Sequence, residues 1–470
     1  MSAMGRGAAA VAAAACAALA ACAPAGPAYH RPDAPAPADW QTPAPWRPGE
    51  PRDTIPKGAW WTMFADADLG ALEDRLVDAN QTLKEAAAHY EQARALAALA
   101  LSANVPNIAV SFSAGGQRLS ATRAGGNDQA AVQGSFSLPL SVSYEVDLFG
   151  KRLRSIEAAQ ASLDAAAAAR ENVRLVLTSE LAADYFTLRR LDTELGILDE
   201  GVTSETRALD LIRARHDGGI ASGLDVAQEE TVVASTRTQA TLLRQQRDQV
   251  ESAVAVLTGQ PATGFHVASG TLAAAAPAID TGLPSDLLER RPDVAEAERE
   301  VAAANARIGV ARSAYYPSLN LIGDGGWQSG NLLKLFNLPS LIWGVGAAVT
   351  QNLVDGGARH AQVAFAEADY DATVAAYRET VLEALSEVRD DLDGLGVLGE
   401  ASASQATAVD AATRQLALAT DRYTGGLATA LDVVSAQQTL LANQRLAAEL
   451  QGDQLVTTVL LVKALGGGWK

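Results

Sequence analysis

Two segments of the chain carry the same residue types at the same spacing, and they are the first candidates for a functional role. Residues 215–226 and 422–433 begin 207 positions apart and agree at seven of twelve positions. Each contains a glycine pair, and each then contains a Ser or Thr followed three residues later by Asp. Glycine accepts positive φ, and a Ser/Thr-x-x-Asp box caps a new helix, so both segments are predicted to be turns between helices. We call them the tip turns; their glycines are Gly218, Gly219, Gly425 and Gly426.

Catalytic and metal-binding patterns are missing from the sequence. The five histidines are scattered, and no His-x-x-x-His or Cys-x-x-Cys set occurs. There is no Gly-x-Ser-x-Gly elbow and no phosphate-binding Gly-Lys-Ser/Thr loop. The carboxylate pairs Glu229–Glu230 and Asp390–Asp391 lie in helical runs, where solvated faces are expected rather than acid–base pairs. An enzyme is therefore the least favoured class, and no metal or cofactor is expected apart from a covalent lipid.

The lipid is predicted from the N-terminus. Arg6 precedes an apolar run at residues 8–18, which has the length of a signal-peptide core and is too short to span a bilayer. The sequence Leu-Ala-Ala before Cys22 resembles a bacterial lipobox. We expect residues 1–21 to be removed and the Cys22 thiol to be acylated; an ordinary cleavage site that happens to hold a cysteine is the alternative. Ala23 rather than Asp after the cysteine points, by similarity to bacterial lipoproteins, to the outer membrane.

Acidic side chains outnumber basic ones. Asp plus Glu total 55 and Lys plus Arg total 37, which gives a formal charge of -18 at pH 7. Such a surface repels nucleic acid, and no basic stripe offsets it, so nucleic acid is not an expected partner. The charge is compatible with a conduit for cations or neutral solutes but identifies no partner by itself.

Long helices must position the tip turns, and the sequence predicts them in two similar halves. No proline occurs between Pro139 and Pro261 or after Pro339, and alanine is abundant. A helix from residue 151 to about residue 216 would be roughly 100 Å long. Each half is predicted to contain a helix, two strands and two long helices. The predicted divisions are an acylated extended tether at 22–62, a first repeat at 63–272, a linker at 273–284 and a second repeat at 285–470.

The segments between the helices alternate apolar and polar residues. Apolar residues occupy every second position from Phe136 to Leu148, and residues 341–352 alternate similarly. Shorter partner strands are predicted from Asn107 and from Ser318. Strands of about ten residues with one apolar face are typical of membrane barrels, whereas a half-buried sheet in a soluble domain is the alternative.

Four strands cannot close a barrel. Open strand edges do not survive in lipid, so several copies must share one barrel if these strands lie in a membrane. Three copies would supply twelve strands. The predicted fold is thus mainly α with a β-barrel part: a trimeric 12-stranded outer-membrane barrel, continued by a long α-helical tunnel across the periplasm, with an internal two-fold repeat.

An ordered set of motifs is similar to the TolC-like outer-membrane factors. Within that family, the N-terminus looks like that of the NodT-type efflux lipoproteins. The resemblance covers nearly the whole mature chain and implies a homotrimer docked on a periplasmic adaptor protein and an inner-membrane pump of the resistance–nodulation–division type. The motifs are the two tip turns, residues 283–294, 306–311 and 316–319, and, for the NodT type, the lipobox, residues 29–32 and the tryptophan pair at 60–61.

The same resemblance implies roles for the tip turns. The turns would dock the adaptor, Asp432 would line the narrow periplasmic aperture, and Tyr423 and Asp225 would tie neighbouring helix pairs closed. A helix cap alone is the alternative for Asp432. Ser435 and Ala428 depart from the family pattern, in which a second acid and an arginine are common at these positions, so a weaker acidic ring and a weaker latch are expected.

Together these observations predict the outer-membrane channel of a tripartite efflux system, a passive exit duct for drugs, toxic organic compounds or metal ions. The outlet of a type I protein secretion system is the alternative within the channel class. A periplasmic coiled-coil scaffold or adaptor would explain the helices but not the strand pairs. The sequence specifies neither the substrate nor the cognate pump.

Overall fold

The computed structural model describes residues 24–33, 58–122, 131–272, 277 and 290–467. Within these residues, a 3-10 helix at Trp60–Phe64 precedes the helices α1 (Ala67–Ala79), α2 (Gln81–Ser102), α3 (Lys151–Asp217), α4 (Gly223–Leu257), α5 (Pro292–Ser313), α6 (Ala358–Thr424) and α7 (Ala430–Ala464). The strands are β1 (Asn107–Val110), β2 (Ser113–Leu119), β3 (Ala131–Val146), β4 (Ser318–Ser329) and β5 (Leu341–Thr350).

The two longest helices have the same length. α3 and α6 each contain 67 residues, and the helices that follow them, α4 and α7, each contain 35 residues. At about 1.5 Å per residue, a helix of that size is about 100 Å long. The predicted continuous helix from residue 151 to about residue 216 is confirmed, because nothing in that stretch removes a backbone donor or breaks the helical hydrogen bonds.

Asn80 divides the first helical region into two helices, where the sequence suggested one. Its φ of -59° and ψ of 130° end α1. Its side chain accepts a hydrogen bond from the Leu83 N–H at 2.9 Å, which caps α2, and donates to the Leu257 carbonyl at 2.8 Å. One buried amide therefore satisfies backbone groups at the start of α2 and at the end of α4.

The strands form one antiparallel sheet in the order β1, β3, β4, β5, with β2 also paired to β3. β1 and β2 pair with successive parts of β3 and together form one edge of the sheet. The predicted first strand is therefore real but interrupted at residues 111–112. β5 pairs with β4 and forms the other edge, so the two predicted strand pairs are joined through β3 and β4.

The pleat separates apolar from polar side chains, as the alternation predicted. Trp343 and Val345, on one face of β5, are 77% and 82% exposed. Polar and small residues, including the serines of β3, occupy the opposite face. Apolar residues at matching positions form rows across the strands; two such rows are Val146, Leu319 and Val349, and Leu138, Trp327 and Leu341.

The chain forms two compact units, and the first contains the sheet. Its described residues fall within 24–33, 90–166 and 297–377. α5 and α6 pack together in this unit through Ile308, Ala311 and Ala366.

The second unit contains the tip turns and the largest apolar cluster. Its described residues fall within 58–89, 167–296 and 378–467. Trp60, Trp61 and Phe64 pack in this cluster with side chains of α1, α3, α4 and α7, and the Trp60 indole donates to Thr178 Oγ1 at 3.2 Å. The tryptophan pair is therefore part of the apolar core of this unit.

No helix in the described ranges is both long and apolar enough to cross a bilayer. The predicted signal peptide, Cys22 and all of the predicted linker except residue 277 lie outside the described residues.

Candidate functional site

The first tip turn joins α3 to α4 through a glycine in the left-handed region. Gly219 has φ of +73°, and the Ile220 N–H donates to the Arg215 carbonyl at 2.8 Å, which closes the end of α3. The Ser222 N–H donates to Asp225 Oδ2 at 2.8 Å, and the Asp225 N–H donates to Ser222 Oγ at 3.2 Å. The predicted capping box therefore starts α4.

The second tip turn repeats this geometry between α6 and α7. Gly426 has φ of +75°, and the Leu427 N–H donates to the Arg422 carbonyl at 2.8 Å. The Thr429 N–H and hydroxyl each donate to Asp432 Oδ2 at 2.8 Å. The hydroxyl bond first, and then the backbone bond, hold the pKa of Asp432 below its usual range. Asp432 is exposed and ionised, so it can cap α7 and still present a negative charge.

The two tip turns pack against each other within one chain. The Arg215 guanidinium lies 4.4 Å from the centroid of the Tyr423 ring and donates to the Tyr423 carbonyl at 3.2 Å. Tyr423 is buried together with Ile212 and Val433 in an apolar cluster. Arg215 was not among the predicted site residues, although the repeat had aligned it with Arg422 at the same position of the second turn.

The predicted bond between Tyr423 and Asp225 is not formed within the chain. Ser222 supplies the hydrogen bonds to the Asp225 carboxylate, and no bond joins it to Tyr423 in the part of the chain that the structure describes. Among the described residues, Tyr423 is held by packing and by the Arg215 stack.

The expectation that both carboxylate pairs lie on solvated faces is partly wrong. Glu229 is fully buried on α4, whereas the adjacent Glu230 is exposed and accepts a 2.6 Å bond from Arg213. Asp391 is half-buried, and burial first, then the charge of Glu387, raises its pKa to about 6. Neighbouring positions on a helix point about 100° apart, so one residue of a pair can face the interior while the other faces water.

The polar face of the sheet carries few charges. Glu145, at the end of β3, forms an ion pair with Lys151 at 3.2 Å. Asp324, in the middle of β4, lies opposite Gly344, where a Cβ atom would approach its carboxylate to 3.1 Å. Along β3 and β4 the remaining side chains on this face are uncharged and, apart from Ile322, small or polar, so the face suits contact with water rather than with lipid.

Residues 24–33, within the predicted tether, are held against the first unit. The Ala25 N–H donates to the Phe149 carbonyl at 2.9 Å, and the Tyr29 hydroxyl donates to Glu298 at 2.8 Å. Gly150 has φ of +75°, and a Cβ atom there would lie 2.7 Å from Pro24. Pro24 therefore lies close to the loop that joins β3 to α3.

No group of three or more His, Cys, Asp or Glu side chains able to hold a metal ion occurs among the residues that the structure describes. The polar residues described above therefore form helix caps, ion pairs and one face of a sheet. Such arrangements stabilise a fold or line a passage for solutes, and they do not suit catalysis.

Comparisons with known proteins agree with this geometry. The family model described as outer membrane efflux protein matches residues 72–260 and 283–467. The chain is 33% identical over 452 residues to the toluene efflux pump outer membrane protein TtgF of Pseudomonas putida, covering 94% of this chain and 93% of TtgF. It is 34% identical over 418 residues to the pyoverdine export outer membrane protein OpmQ of Pseudomonas aeruginosa, covering 87% of each.

A solved structure gives the same fold. The outer membrane protein VceC from Vibrio cholerae superposes with a TM-score of 0.82 at 28% identity, covering 87% of this chain and 99% of VceC. The long helices, the two-faced sheet and these likenesses lead to one conclusion. The chain belongs to the outer membrane efflux protein family, and it is an outer-membrane component of an efflux pump.

Proposed function

We propose that three copies of the chain close one twelve-stranded barrel in the outer membrane and continue it as a helical tunnel in the periplasm. The observation that carries this proposal is a sheet in which β1/β2 and β5 each have a partner on one side only. Three antiparallel pairings, β1–β3, β3–β4 and β4–β5, lie between the two edges. The strands at the two edges therefore run in opposite directions. The β5 edge of one copy can then pair with the β1/β2 edge of the next, and closure leaves no open edge in lipid.

The two faces of the sheet support a lipid-facing outside and a water-filled inside. β4 has 12 residues and β5 has 10, lengths that suit tilted strands crossing the bilayer core. Trp343 and Val345 would face lipid, and the serine-rich face of β3 would line the channel. The small side chains opposite Asp324 would keep the interior wide enough for solutes.

The lipid on Cys22 would anchor each copy beside the barrel. Cys22 is two residues from Pro24, and two residues of chain span at most about 7 Å. Pro24 lies against Gly150, just after the last residue of β3. A strand end is where a membrane-spanning sheet meets the interface, so an acyl chain attached there can enter the same leaflet.

The tip turns would form the periplasmic end of the tunnel. We propose that the glycines Gly218, Gly219, Gly425 and Gly426 dock a periplasmic adaptor, and that an inner-membrane pump completes the assembly. Asp432 would form a ring of three charges at the aperture, and Tyr423 of one copy would donate to Asp225 of the next. Each chain has two exposed glycine turns with matching backbone hydrogen bonds, so three copies would offer six similar docking positions, which suits a ring of adaptors.

The exported compounds are proposed to be small organic molecules. The names of TtgF and OpmQ assign toluene efflux to one and pyoverdine export to the other. A duct lined by small and polar side chains discriminates little, so selection would rest with the pump.

Planar-bilayer recording tests this function. The purified protein should form pores with a stable single-channel conductance, and light scattering in detergent should give three times the mass of the mature chain. A monomeric mass or an absence of conductance would contradict the proposal. A knockout that impairs secretion of a protein but leaves drug and solvent tolerance intact would instead support a type I secretion outlet.

A further inference from the structure

Two glutamates are buried in the helix pair that ends at the first tip turn. Glu205 on α3 is 2% exposed, and Glu229 on α4 is fully buried. An apolar cluster containing Ile212 lies on the tip side of them, and another containing Leu198 and Ala240 lies on the opposite side. The acidic pair therefore interrupts an otherwise apolar seam between α3 and α4.

The oxygens of this pair lack donors. Thr236 Oγ1 donates to Glu205 Oε1 at 3.1 Å. Glu205 Oε2 and both oxygens of Glu229 have no hydrogen-bond partner among the described residues. A buried acceptor without a donor is costly, and an ionised carboxylate without one costs more, so binding a proton lowers the cost of burying each carboxyl group.

α7 reaches the same level of the bundle with an uncharged side chain. A Cβ atom at Gly201, one turn before Glu205, would lie 3.0 Å from Leu441 of α7. Gln437, one turn before Leu441, is buried, and its Oε1 also lacks a partner among the residues described. α7 thus adds a further acceptor at this level and no positive charge.

Two ion pairs between α3 and α4 lie at the surface near this layer. Arg213 of α3 binds Glu230 of α4 at 2.6 Å, and Arg244 of α4 binds Asp199 of α3 at 2.8 Å. All four side chains are about half exposed. Within the described ranges, no cation pairs with either buried glutamate, so the negative charge of an ionised pair would stay uncompensated.

We propose that Glu205 and Glu229 form a buried proton-binding site that couples pH to the closure of the first tip. While Glu205 and Glu229 hold protons, both carboxyl groups are neutral and α3 and α4 stay packed together. Loss of these protons to water leaves negative charges without a partner between the helices and favours separation of the pair. The proposal concerns the helix pair itself and does not depend on the channel conducting.

The direction of the pH effect follows from the environment of the pair. Burial first, and then the charge of Glu205, raise the pKa of Glu229 to about 7, and burial raises the pKa of Glu205. In an opened, hydrated pair the carboxyl pKa is about 4.3. At a pH between these two pKa values, opening of the helix pair therefore releases a proton. Closure is strongest in acid, weakens as the pH rises towards 7, and then changes little.

Hydrogen exchange followed by mass spectrometry tests this site in the intact protein. Peptides covering residues 201–240 should lose protection about tenfold per pH unit between pH 5 and pH 7, after correction for intrinsic exchange. Protection should level off above pH 7. In Glu229→Gln, protection at pH 7 should rise at least tenfold, and most of the pH dependence should disappear.

Matched variants distinguish protonation of the buried glutamates from general effects of surface charge on the pH dependence of protection. Glu230→Gln removes the adjacent exposed carboxylate and should keep the wild-type pH dependence. Glu229→Met fills the same space without a polar group and serves for the comparison if the glutamine variant does not fold. A flat pH profile in the wild type, or a tenfold slope retained in Glu229→Gln and Glu229→Met, would overturn the proposal.

Discussion

Replacing Glu73 with glutamine should stabilise the protein, and the gain should grow with pH. Glu73 lies on the buried face of α1 between Leu72 and Leu76, and neither of its carboxyl oxygens has a hydrogen-bond partner in the described part of the chain. Burial first, and then the charge of Asp74, raise the pKa of Glu73 to about 9 from an ordinary 4.5, although the Arg174 charge opposes the shift. The carboxyl group is therefore neutral in the folded protein at pH 7.

The size of the effect follows from proton linkage. The folded-state pKa of Glu73 is raised, so the pH-dependent cost of its burial is absent below about pH 4.5, and stability falls as the pH rises towards 9. Each pH unit in that window costs about 1.4 kcal/mol. The accumulated cost is about 1 kcal/mol at pH 5 and about 3 kcal/mol at pH 7. Glutamine has nearly the same shape and is neutral at every pH, so Glu73→Gln removes this cost.

The difference in the free energy of unfolding between the wild type and Glu73→Gln can be measured by chemical unfolding in detergent, followed by tryptophan fluorescence. Tryptophan is a suitable probe because Trp60 and Trp61 are buried in the same apolar cluster as Leu72 and Leu76. The free energy of unfolding of Glu73→Gln should exceed that of the wild type by the amounts given, with the larger gain at pH 7. Asp78→Asn, at an exposed position further along α1, should change it by less than about 0.5 kcal/mol. A constant loss of stability at every pH would refute the reasoning, because it would mean that Glu73 is ionised and held by Arg174.

Three further predictions concern the anchor and the aperture. Palmitate incorporation should disappear in Cys22→Ser, and equal labelling would rule out acylation at this thiol. Tyr423→Phe combined with Asp225→Ala should raise single-channel conductance, because it would remove the proposed bond between copies; an unchanged conductance would mean that the aperture is held elsewhere. Asp432→Ala should lower the preference for cations in planar-bilayer recordings, whereas Thr429→Ala, which removes the cap partner but keeps the charge, should not. If both variants behave alike, Asp432 acts only as a cap.

The helices could be predicted because their signals are local. The absence of proline over residues 140–260 permits a helix as long as α3, and the glycine pairs end such helices by their backbone freedom alone. Both capping boxes were also readable, since each involves residues only three apart. Alternation predicted the two faces of β3 and β5 for the same reason.

Features that depend on distant contacts could not be predicted. Asn80 ends α1 and also donates to the Leu257 carbonyl, which lies 177 positions away. The break between β1 and β2 reflects pairing along β3, and the contact of β3 with β4 joins strands from different halves of the chain. No local window of sequence contains the pairing of β3 with β4, in which Val146 lies opposite Leu319.

The candidate site shows the same limit. The sequence identified Asp225 and Asp432 through their caps, but the Arg215 stack on Tyr423 joins residues 208 positions apart. Glu229 was assigned to a solvated face from its acidic neighbour alone. Its burial could have been suspected from Val232, Val233 and Thr236, which place it on an otherwise buried stripe of α4.

Cross-linking between sheet edges tests the central claim most directly. In a Cys22→Ser background, Ala109→Cys on β1 would be combined in turn with cysteine at residues 342, 344, 346, 348 and 350 of β5, which lie on the same face of the sheet. If the β5 edge of one copy pairs with the β1 edge of the next, oxidation of at least one combination should give covalent trimers in denaturing gels and nothing larger. Monomers in every combination, or a ladder that continues beyond three chains, would contradict a closed barrel of three copies.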